Sequence, residues 1–408
     1  LGEQPVPRPL VTNLVREAIQ AKREAKEGAA DFEVFVREVQ LEIDHLNRAR
    51  IQAVINGTGV LIHTNLGRSP IQEAAAQRMH DIAVNYNNLE IDLDSGARGK
   101  RGRYFEQLLA QLVDAEAATV VNNCASALIL ILRLFTANTG KKEVLISRGE
   151  LVEIGGGFRV PEIMEASGAT LREVGATNKT SLDDYARAIG PETAMLLKVH
   201  RSNFWMEGFV DSPTTEEMAA LAHEHGLAMV EDLGSGAMVD TGQLAPIEHE
   251  PLANEILKRG VDLVCFSGDK IFGGPQAGMI AGKAELIAGL KKEPFFRALR
   301  CDKLILTLLE CTAQAYLDAR ATSSIPSLPL LDMLQLTVDS LRERGEAMGK
   351  ELAGLPVDWS LGESTAQVGG GTMPKSAIPS VTLDLKAHGL KAPVLAKRLR
   401  RQALPLMG

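Results

Sequence analysis

The chain has 408 residues, of which 45% are hydrophobic and 24% charged, and a formal net charge of −8. This length is enough for two or three domains with at least one large core, and the net acidity excludes a protein whose whole surface attracts nucleic acid. The sequence contains no apolar run long enough to span a bilayer and begins with LGEQPVPRPL, which lacks a secretion pattern, so we expect a cytoplasmic protein without membrane insertion.

Two helices are predicted within residues 1–50. The stretches LVTNLVREAIQAKREAKEG and DFEVFVREVQLEIDHLNRAR repeat apolar residues at helical spacing, and GAAD between them supplies a break and a cap at Asp31. We therefore expect an independent helical domain over 1–50. The next stretch, INGTGVLIHTNLGRSP, is rich in Gly, Asn and Thr and is predicted to be a loop-bearing functional segment.

From about Ala115, short apolar runs alternate with helical stretches. The runs are ATVVNN, EVLIS, TLREVG, AMLLKVH, LAMVEDL and LVCFSGD, and the helical stretches between them include ASALILILRLFTAN, SLDDYARAIG and TTEEMAALAHEHG. This alternation predicts an α/β fold with a mainly parallel sheet covered on both faces. Binding sites in such sheets collect at the carboxyl ends of the strands.

After Pro294 the pattern becomes helical, in ALRCDKLILTLLECTAQAYLDA and LPLLDMLQLTVDSLRERGEAMGKELAGL, and GGGTMPKSAIPSVTLDLKA then predicts a strand or two. We expect a large domain over 51–324 and a small α+β C-terminal domain over 325–408.

The strand ends carry the polar residues of interest. LAMVEDLGSG places Asp232 after one apolar run, and LVCFSGDK places Ser267, Asp269 and Lys270 after another. A buried lysine loses its proton or destabilises its surroundings, unless it is used covalently as an imine with an aldehyde cofactor. Pyridoxal phosphate needs such a lysine, an acid for its pyridine nitrogen and a polar cup for its phosphate. Lys270 and Asp232 are the candidates for the first two roles.

The candidate phosphate cup is the turn that follows TVVNN and opens the helix ASALILILRL. Exposed N–H groups at a helix N-terminus bind a dianion well, and Ser267 can add a hydroxyl to the same phosphate. Each residue alone has an ordinary structural explanation, as a cap, a turn residue or a surface lysine, and only their combination favours a cofactor site. A nucleotide site is disfavoured because no GxxxxGK[ST] is present and EIGGGF lacks a clear strand before it. The predicted cup residues are Asn122, Asn123, Cys124, Ala125 and Ser126.

Several arginines stand beside glycines or aromatic residues, which favours anion binding if they cluster around the cofactor pocket and ordinary ion pairing if they do not. Arg297 and Arg300 are predicted to share one face of a helix. The full set is Arg68, Arg98, Arg101, Arg103, Arg159, Arg297 and Arg300.

Two further features are less specific. The four cysteines, Cys124, Cys265, Cys301 and Cys311, show no CxxC spacing, which argues against a disulfide framework or a zinc site, and we expect most of them to be buried thiols. The final stretch LKAHGLKAPVLAKRLRRQALPLMG holds six Lys or Arg and no acid. It is either a solvated helix face or a surface that meets a polyanion.

Six motifs together resemble one family, the bacterial selenocysteine synthases, or L-seryl-tRNA(Sec) selenium transferases. They are INGTGVLIHTNLGRSP, YNNLEIDLDSGARGKRG, SRGELVEIGGGFRVPEIM, VHRSNFWMEGF, EDLGSG and FSGDKIFGGPQAG. The resemblance implies a fold-type-I pyridoxal phosphate enzyme of the aspartate aminotransferase-like class. It also implies conversion of seryl-tRNA(Sec) to selenocysteinyl-tRNA(Sec) with selenophosphate, through an aminoacrylyl-tRNA intermediate.

The resemblance also implies residue roles. Lys270 matches the family's imine-forming lysine, Asp232 its pyridine-nitrogen partner, and Asn203 falls where related enzymes bond the cofactor's phenolic oxygen. The arginines expected around selenophosphate or phosphate match Arg68, Arg297 and Arg300. Asp269 is the position to test as the acid that assists hydroxyl departure. Residues 1–50 match the family's tRNA-binding domain, and the family forms large homo-oligomers built from dimers, possibly decamers.

The chain departs from the family pattern in three places. NNCASA replaces a run of Asn and Ala at the phosphate turn, GATNKT stands where GTTNRT is expected, and the small domain is expected to continue beyond Gly408. The competing interpretations are a paralogous lyase that eliminates water or ammonia from a small phosphorylated amino acid or amino sugar, and a non-enzymatic tRNA-binding scaffold.

Overall fold

The computed structural model describes residues 6–24, 31–137, 139–154, 157–369 and 371–408. The helices of this part of the chain are α1 Arg8–Glu24, α2 Phe32–Arg48, α3 Glu73–Val84, α4 Arg103–Leu112, α5 Cys124–Thr136, α6 Val160–Ser167, α7 Leu182–Ala188, α8 Thr215–Glu224, α9 Ala253–Lys258, α10 Ala284–Lys292, α11 Pro294–Ala298, α12 Lys303–Ala321, α13 Pro329–Leu334, α14 Val338–Glu351 and α15 Ala392–Leu399. The strands are β1 Ile55–Asn56, β2 Val60–Ile62, β3 Ala117–Val121, β4 Glu143–Ser147, β5 Glu153–Ile154, β6 Phe158–Arg159, β7 Thr170–Val174, β8 Thr193–Val199, β9 Ala228–Gly234, β10 Leu263–Ser267, β11 Gly278–Gly282, β12 Val357–Gly369, β13 Ile378–Ala387 and β14 Leu406–Met407.

A seven-stranded sheet forms the centre of the larger unit, with strand order β3-β11-β10-β9-β8-β4-β7. Neighbouring strands from β10 to β7 run parallel, and β11 alone in this sheet is antiparallel to both of its neighbours. All six predicted strands are present in it. The α/β class expected from the sequence is therefore confirmed.

Strand β11 was not predicted. Its sequence, GMIAG, is short and follows a glycine-rich turn, so it carries neither alternation nor a β-branched run. Because β11 is antiparallel, its first residue, Gly278, lies opposite Ser267 at the carboxyl end of β10. The carboxyl ends of β3, β8, β9 and β10 thus meet the start of β11 at one edge of the sheet.

The sheet is covered on both faces, as its continuous apolar strands predicted. Side chains of β10 alternate between two cores, since Val264 and Phe266 pack in one buried cluster while Leu263 and Cys265 pack in the other. All four are fully buried. Helices close both cores, so polar groups on the strands can reach solvent or a ligand only at the strand ends.

The chain divides into two compact units, one comprising Leu1–Ile55 with Ala396–Met407 and the other Asn56–Leu395 with Gly408. In the first unit, α1 and α2 confirm the two predicted helices, and the Asp31 carboxylate caps α2 by accepting from the Glu33 N–H at 3.0 Å. The rest of the predicted break at GAAD lies outside the described residues. Lys22 and Glu38 form an ion pair of 2.9 Å between the two helices.

The helical stretch expected after Pro294 is interrupted, and this corrects one prediction. Helix α11 ends at Ala298, and α12 begins at Lys303 behind Asp302, whose carboxylate caps the new helix by accepting from the N–H groups of Leu304 and Ile305. Arg300 therefore lies between two helices and does not share a helix face with Arg297, because the cap at Asp302 restarts the winding.

The larger unit also contains a three-stranded sheet of order β13-β12-β2, which combines two strands from late in the chain with one from early in it. Strands β12 and β13 form a long antiparallel hairpin from Val357 to Ala387, and β2 joins it in parallel. The segment predicted as a loop thus also supplies a strand. Among the described residues, no helix is both long and apolar enough to cross a membrane.

Candidate active site

Lys270 lies at the edge where the strand ends meet. It follows β10 in a tight turn, is 6% exposed, and its Nζ donates to the Gly371 carbonyl at 3.1 Å. The backbone of this turn is fixed from both sides, because the Ser69 hydroxyl donates to the Lys270 carbonyl at 2.6 Å and the Ile271 N–H donates to the Ser235 carbonyl at 2.9 Å. The lysine is thus presented from a rigid backbone.

The next turn is anchored by an aromatic contact. Phe272 is fully buried and stacks on Tyr316 of α12, with ring centroids 5.5 Å apart. The Tyr316 hydroxyl also donates to the Phe272 carbonyl at 3.2 Å. The helix after the Asp302 cap therefore supports the loop that carries Lys270.

Asp232 is buried within β9 on the neighbouring strand, where Cys265 of β10 is its register partner. Burial raises the pKa of the Asp232 carboxyl, against the opposing effects of Lys270 and of hydrogen bonds from Cys124 and Gly234. Burial likewise lowers the pKa of the Lys270 ammonium, which the charges around it offset only in part. Both groups are thus short of compensating charge, and a cationic ring nitrogen at Asp232 would supply some of it.

Two thiols adjoin this carboxyl. The Cys124 Sγ donates to Asp232 Oδ1 at 3.6 Å. The Sγ atoms of Cys124 and Cys265 and a carboxylate oxygen of Asp232 all lie within 4.8 Å of one another. The hydrogen bond with Cys124, followed by burial, raises the pKa of Cys265 well above its ordinary range. Sequence spacing gave no sign of this cluster, because its members come from α5, β9 and β10.

The predicted phosphate cup is a helix N-terminus. Asn123 caps α5, its side chain accepting from the Ser126 N–H at 2.8 Å, and the Asn122 N–H donates to the Leu299 carbonyl. In the described part of the chain, the N–H groups of Cys124 and Ala125 are left without an acceptor. These two N–H groups are therefore available to an anion, whereas the Ser126 N–H is already used.

Gly278 allows this cup to form. A Cβ at position 278 would lie 2.1 Å from the Asn123 carbonyl oxygen and 2.9 Å from the Cys124 nitrogen. Because Gly278 is also the register partner of Ser267, the glycine brings the cup against the strand end that precedes Lys270. The glycine-rich motif after the lysine thus permits a close backbone approach.

Arg68 and Asp269 form an ion pair of 2.6 Å, with the carboxylate 8% and the guanidinium 30% exposed at the side chain. The second carboxylate oxygen, Asp269 Oδ1, is buried and has no hydrogen-bond partner among the described residues. Arg68 adopts a left-handed backbone with φ of 65°, which is strained for a side chain of this type and often marks a functional site. The pair joins two candidates that are 201 positions apart in sequence.

Asn203 follows β8 at the same edge of the sheet. Its Nδ2 donates to the Glu153 carbonyl at 2.7 Å, and its Oδ1 is buried without a partner in the described part of the structure. The nearby Ser202 hydroxyl lies 3.2 Å from the position a Cβ would take on Gly234, and Lys270 Nζ lies 3.6 Å from the same point. An unpaired buried acceptor is what a hydroxyl-bearing ligand would satisfy.

The two arginines near α11 differ in their surroundings. Arg297 is exposed, whereas Arg300 lies 3.6 Å from Glu90 Oε1. Glu90 also pairs with Arg98 at 3.0 Å and Arg101 at 2.9 Å, and the hydrogen bond from Arg101 and the charges of both arginines lower its pKa. One carboxylate thus gathers three of the arginines that the sequence singled out, and its own role was not predicted.

The chain is similar in sequence to proteins of one family. Residues 54–408 match the family model described as L-seryl-tRNA selenium transferase. The protein named L-seryl-tRNA(Sec) selenium transferase from Geobacter sulfurreducens is 44% identical over 412 residues, covering 98% of this chain and 88% of that one. The protein of the same name from Aquifex aeolicus is 41% identical over 393 residues, covering 96% of this chain and 84% of that one.

Among solved structures, D-glucosaminate-6-phosphate ammonia-lyase superimposes with a TM-score of 0.61 at 20% identity, covering 87% of this chain and 86% of that one. This likeness concerns the fold alone. With the strand order of the central sheet, it confirms the fold class expected from the motifs.

Replacing Gly278 by alanine tests the close approach at the cup. The added Cβ would clash with the backbone of Asn123 and Cys124, so we expect the free energy of unfolding to fall by about 1–3 kcal/mol, visible as a lower thermal midpoint. Gly190→Ala is the matched control, because a Cβ there meets nothing within 4 Å. Equal midpoints for the two variants would show that the approach is not tight.

Proposed function

The chain belongs to the L-seryl-tRNA(Sec) selenium transferase family, and we propose that it converts L-seryl-tRNA(Sec) to selenocysteinyl-tRNA(Sec) with selenophosphate, using pyridoxal 5′-phosphate held at Lys270. The observation that carries this proposal is a buried lysine at the end of β10, beside the buried Asp232, in a chain 41–44% identical to proteins of that name.

The residues present fit the cofactor. Asp232 would keep the pyridine nitrogen protonated, and the N–H groups of Cys124 and Ala125, with Ser267 beside them, would hold the phosphate. Asn203 would face the phenolic oxygen. Two features of this chain support the fit. The cofactor would give Asn203 Oδ1 a hydrogen-bond partner, and its ring nitrogen would place a positive charge beside the buried Asp232 carboxyl.

When bound, pyridoxal phosphate acidifies the Cα–H of an attached seryl group by delocalising the resulting negative charge. Lys270 is the base for that proton, because its lowered pKa leaves a larger neutral fraction near neutral pH than a free lysine has. Its Nζ is held toward the site by the Gly371 carbonyl. The seryl hydroxyl gains a proton and leaves as water, and the selenium of selenophosphate then bonds to the dehydroalanyl Cβ. Lys270 returns a proton to Cα, and water cleaves the Se–P bond, which releases orthophosphate.

In the Arg68–Asp269 pair, Asp269 is proposed to hydrogen-bond the departing hydroxyl and Arg68 to bind the incoming anion. Asp269 Oδ2 is bound to the guanidinium, which leaves Oδ1 free among the described residues to hydrogen-bond the hydroxyl. Arg68, Arg297 and Arg300 are the proposed partners of selenophosphate. Arg297 carries no ion pair in the described part of the chain, and Arg300 is shared with Glu90.

The lyase alternative is the less favoured one. The solved structure compared above is named as a lyase, but its 20% identity to this chain is evidence for the fold and not for the reaction. The matches to selenium transferases cover 98% of the chain and therefore include most of the first fifty residues, for which a small-molecule lyase has no evident use. The buried Lys270–Asp232 arrangement also disfavours a non-enzymatic scaffold.

We also propose that residues 1–50 bind tRNA and that the chain assembles into homo-oligomers built from dimers. Exposed apolar side chains support an assembly, since Tyr86 is fully exposed and Leu93 is 75% exposed beside the Arg98 and Arg101 pairs with Glu90. The domain boundaries at 51 and 325 belong to the same proposal.

Lys270→Ala tests the proposed function. Purified wild-type protein should show an imine absorption band and form a dehydroalanyl product from seryl-tRNA(Sec), with selenocysteinyl-tRNA(Sec) appearing only when selenophosphate is added. The variant should lose both the band and the product, because no other lysine lies beside Asp232 in the described structure. Lys350→Ala, at an exposed position on α14, is the control. An unchanged spectrum in the Lys270 variant would refute the cofactor assignment.

Asp269→Asn tests the acid. We expect the rate of dehydroalanyl formation to fall about 10²–10⁴-fold, while the absorption band is retained because Asp269 is not the ring partner. Asp318→Asn, exposed on α12, should behave as wild type. A variant with normal elimination would exclude Asp269 from this step.

Arg297→Ala tests selenophosphate binding. The KM for selenophosphate should rise at least about tenfold with the absorption band unchanged, since an exposed guanidinium that binds an anion contributes to affinity. Arg187→Ala, exposed on α7, serves as the matched loss of one charge. Unaltered KM values would remove Arg297 from the site.

A further inference from the structure

The basic segment, defined as Lys397, Arg398, Arg400 and Arg401, has no assigned role in the chemistry above. All four side chains are exposed. The segment begins within α15, and the winding continues past its end, because the Arg400 N–H donates to the Ala396 carbonyl and the Arg401 N–H to the Arg398 carbonyl. The four cations therefore stand on ordered backbone.

Among the described residues, none of these four cations forms an ion pair. Other surface arginines of the chain are neutralised locally, as in the pairs Arg148–Glu173 at 2.8 Å and Arg172–Glu143 at 2.8 Å. The segment has no such neighbour in sequence either, since residues 385–408 contain no Asp or Glu. Its charge is left available to an external anion.

The position of the segment adds to this argument. Residues 396–407 belong to the same compact unit as the N-terminal helices. Residues 1–50 carry eight Lys or Arg against nine Asp or Glu, so the helices alone offer no net attraction to a polyanion. Residues 396–407 add four cations and no acid, which makes the charge of the unit net positive.

The apolar side chains of this region favour RNA over a lipid surface. Leu395 and Leu399 are half-buried, and Val394, 43% exposed, is the one large aliphatic side chain of α15 that is exposed, whereas all four cations are exposed. A helix that lies in a membrane interface inserts its apolar face and needs that face exposed. A phosphate backbone instead needs only solvent-exposed cations on a fixed frame.

We propose that the basic segment binds the phosphate backbone of the tRNA substrate and supplies the electrostatic part of its affinity. The proposal rests on the proposed function, because that function makes a tRNA the substrate. The contacts are to phosphates, so they strengthen binding without selecting one tRNA sequence over another. Selection by shape is then left to other parts of the chain.

The test compares two triple variants that each remove three positive charges. One is Lys397→Gln/Arg400→Gln/Arg401→Gln, and the matched control is Lys292→Gln/Arg344→Gln/Lys350→Gln, at exposed positions on α10 and α14. Binding of seryl-tRNA(Sec) and of a non-cognate tRNA is measured against salt concentration, with the cofactor absorption band and kcat as readouts of an intact active site.

For the basic-segment variant we expect Kd and KM for seryl-tRNA(Sec) to rise at least about tenfold. The slope of log affinity against log salt should fall by about two to three, since each lost phosphate contact removes about 0.7–0.9. The affinity for the non-cognate tRNA should fall by the same factor, while kcat and the absorption band stay unchanged. The control should match wild type in every readout.

Three other outcomes are decisive in different ways. Equal tRNA affinities for the two variants overturn the inference while leaving the proposed function intact. Wild-type protein that binds no tRNA and forms no product refutes the proposed function, and the inference with it. Wild-type binding to anionic phosphatidylserine vesicles that is lost in the variant, with tRNA affinity unaltered, assigns the segment to a membrane and also overturns the inference.

Discussion

The structure depends on placing an amine and a carboxyl, both buried, at the ends of adjacent parallel strands. Lys270 and Asp232 each pay a desolvation cost, seen in the lowered pKa of the first and the raised pKa of the second. Neither group can relax toward solvent, because the backbone around Lys270 is bonded to Ser69 and Ser235. Such an arrangement persists when a ligand uses both groups, which is the physical reason to assign a cofactor here.

Close backbone packing brings the remaining groups to this pair. Gly278 lets the turn at Asn123 approach the strand end that precedes Lys270, which is the geometry that the proposed cofactor site needs. Tyr316 supports the same loop from α12, whose start is set by the Asp302 cap. Fold and site are therefore connected through backbone contacts as much as through side chains.

The sequence predicted the parts of this arrangement that are local. Apolar runs located six strands, and the lysine and the aspartate predicted at strand ends are both buried there; their catalytic roles stay a prediction. Contacts between distant segments gave no local pattern, which is why the Cys124–Cys265 cluster and the role of Glu90 were missed. Arg300 was misplaced because helical spacing alone did not reveal the new helix that begins after Asp302. Motif resemblance placed Arg68 among the arginines expected around selenophosphate, but it did not predict the ion pair of Arg68 with Asp269.

The distribution of arginines around the site separates structural from functional charge. Glu90 lies within ion-pair distance of Arg98, Arg101 and Arg300, so the positive charge of these arginines is partly neutralised within the protein. Arg68 is bound to Asp269, yet that carboxylate keeps one oxygen free in the described structure, and Arg297 is exposed. Among the arginines proposed to bind selenophosphate, Arg297 is therefore the exposed one without an ion pair in the described part of the chain. In the proposed reaction, the Arg68–Asp269 pair places a cation next to a carboxylate oxygen that has no hydrogen-bond partner among the described residues. This is why we propose one pair of side chains for both the incoming anion and the departing hydroxyl.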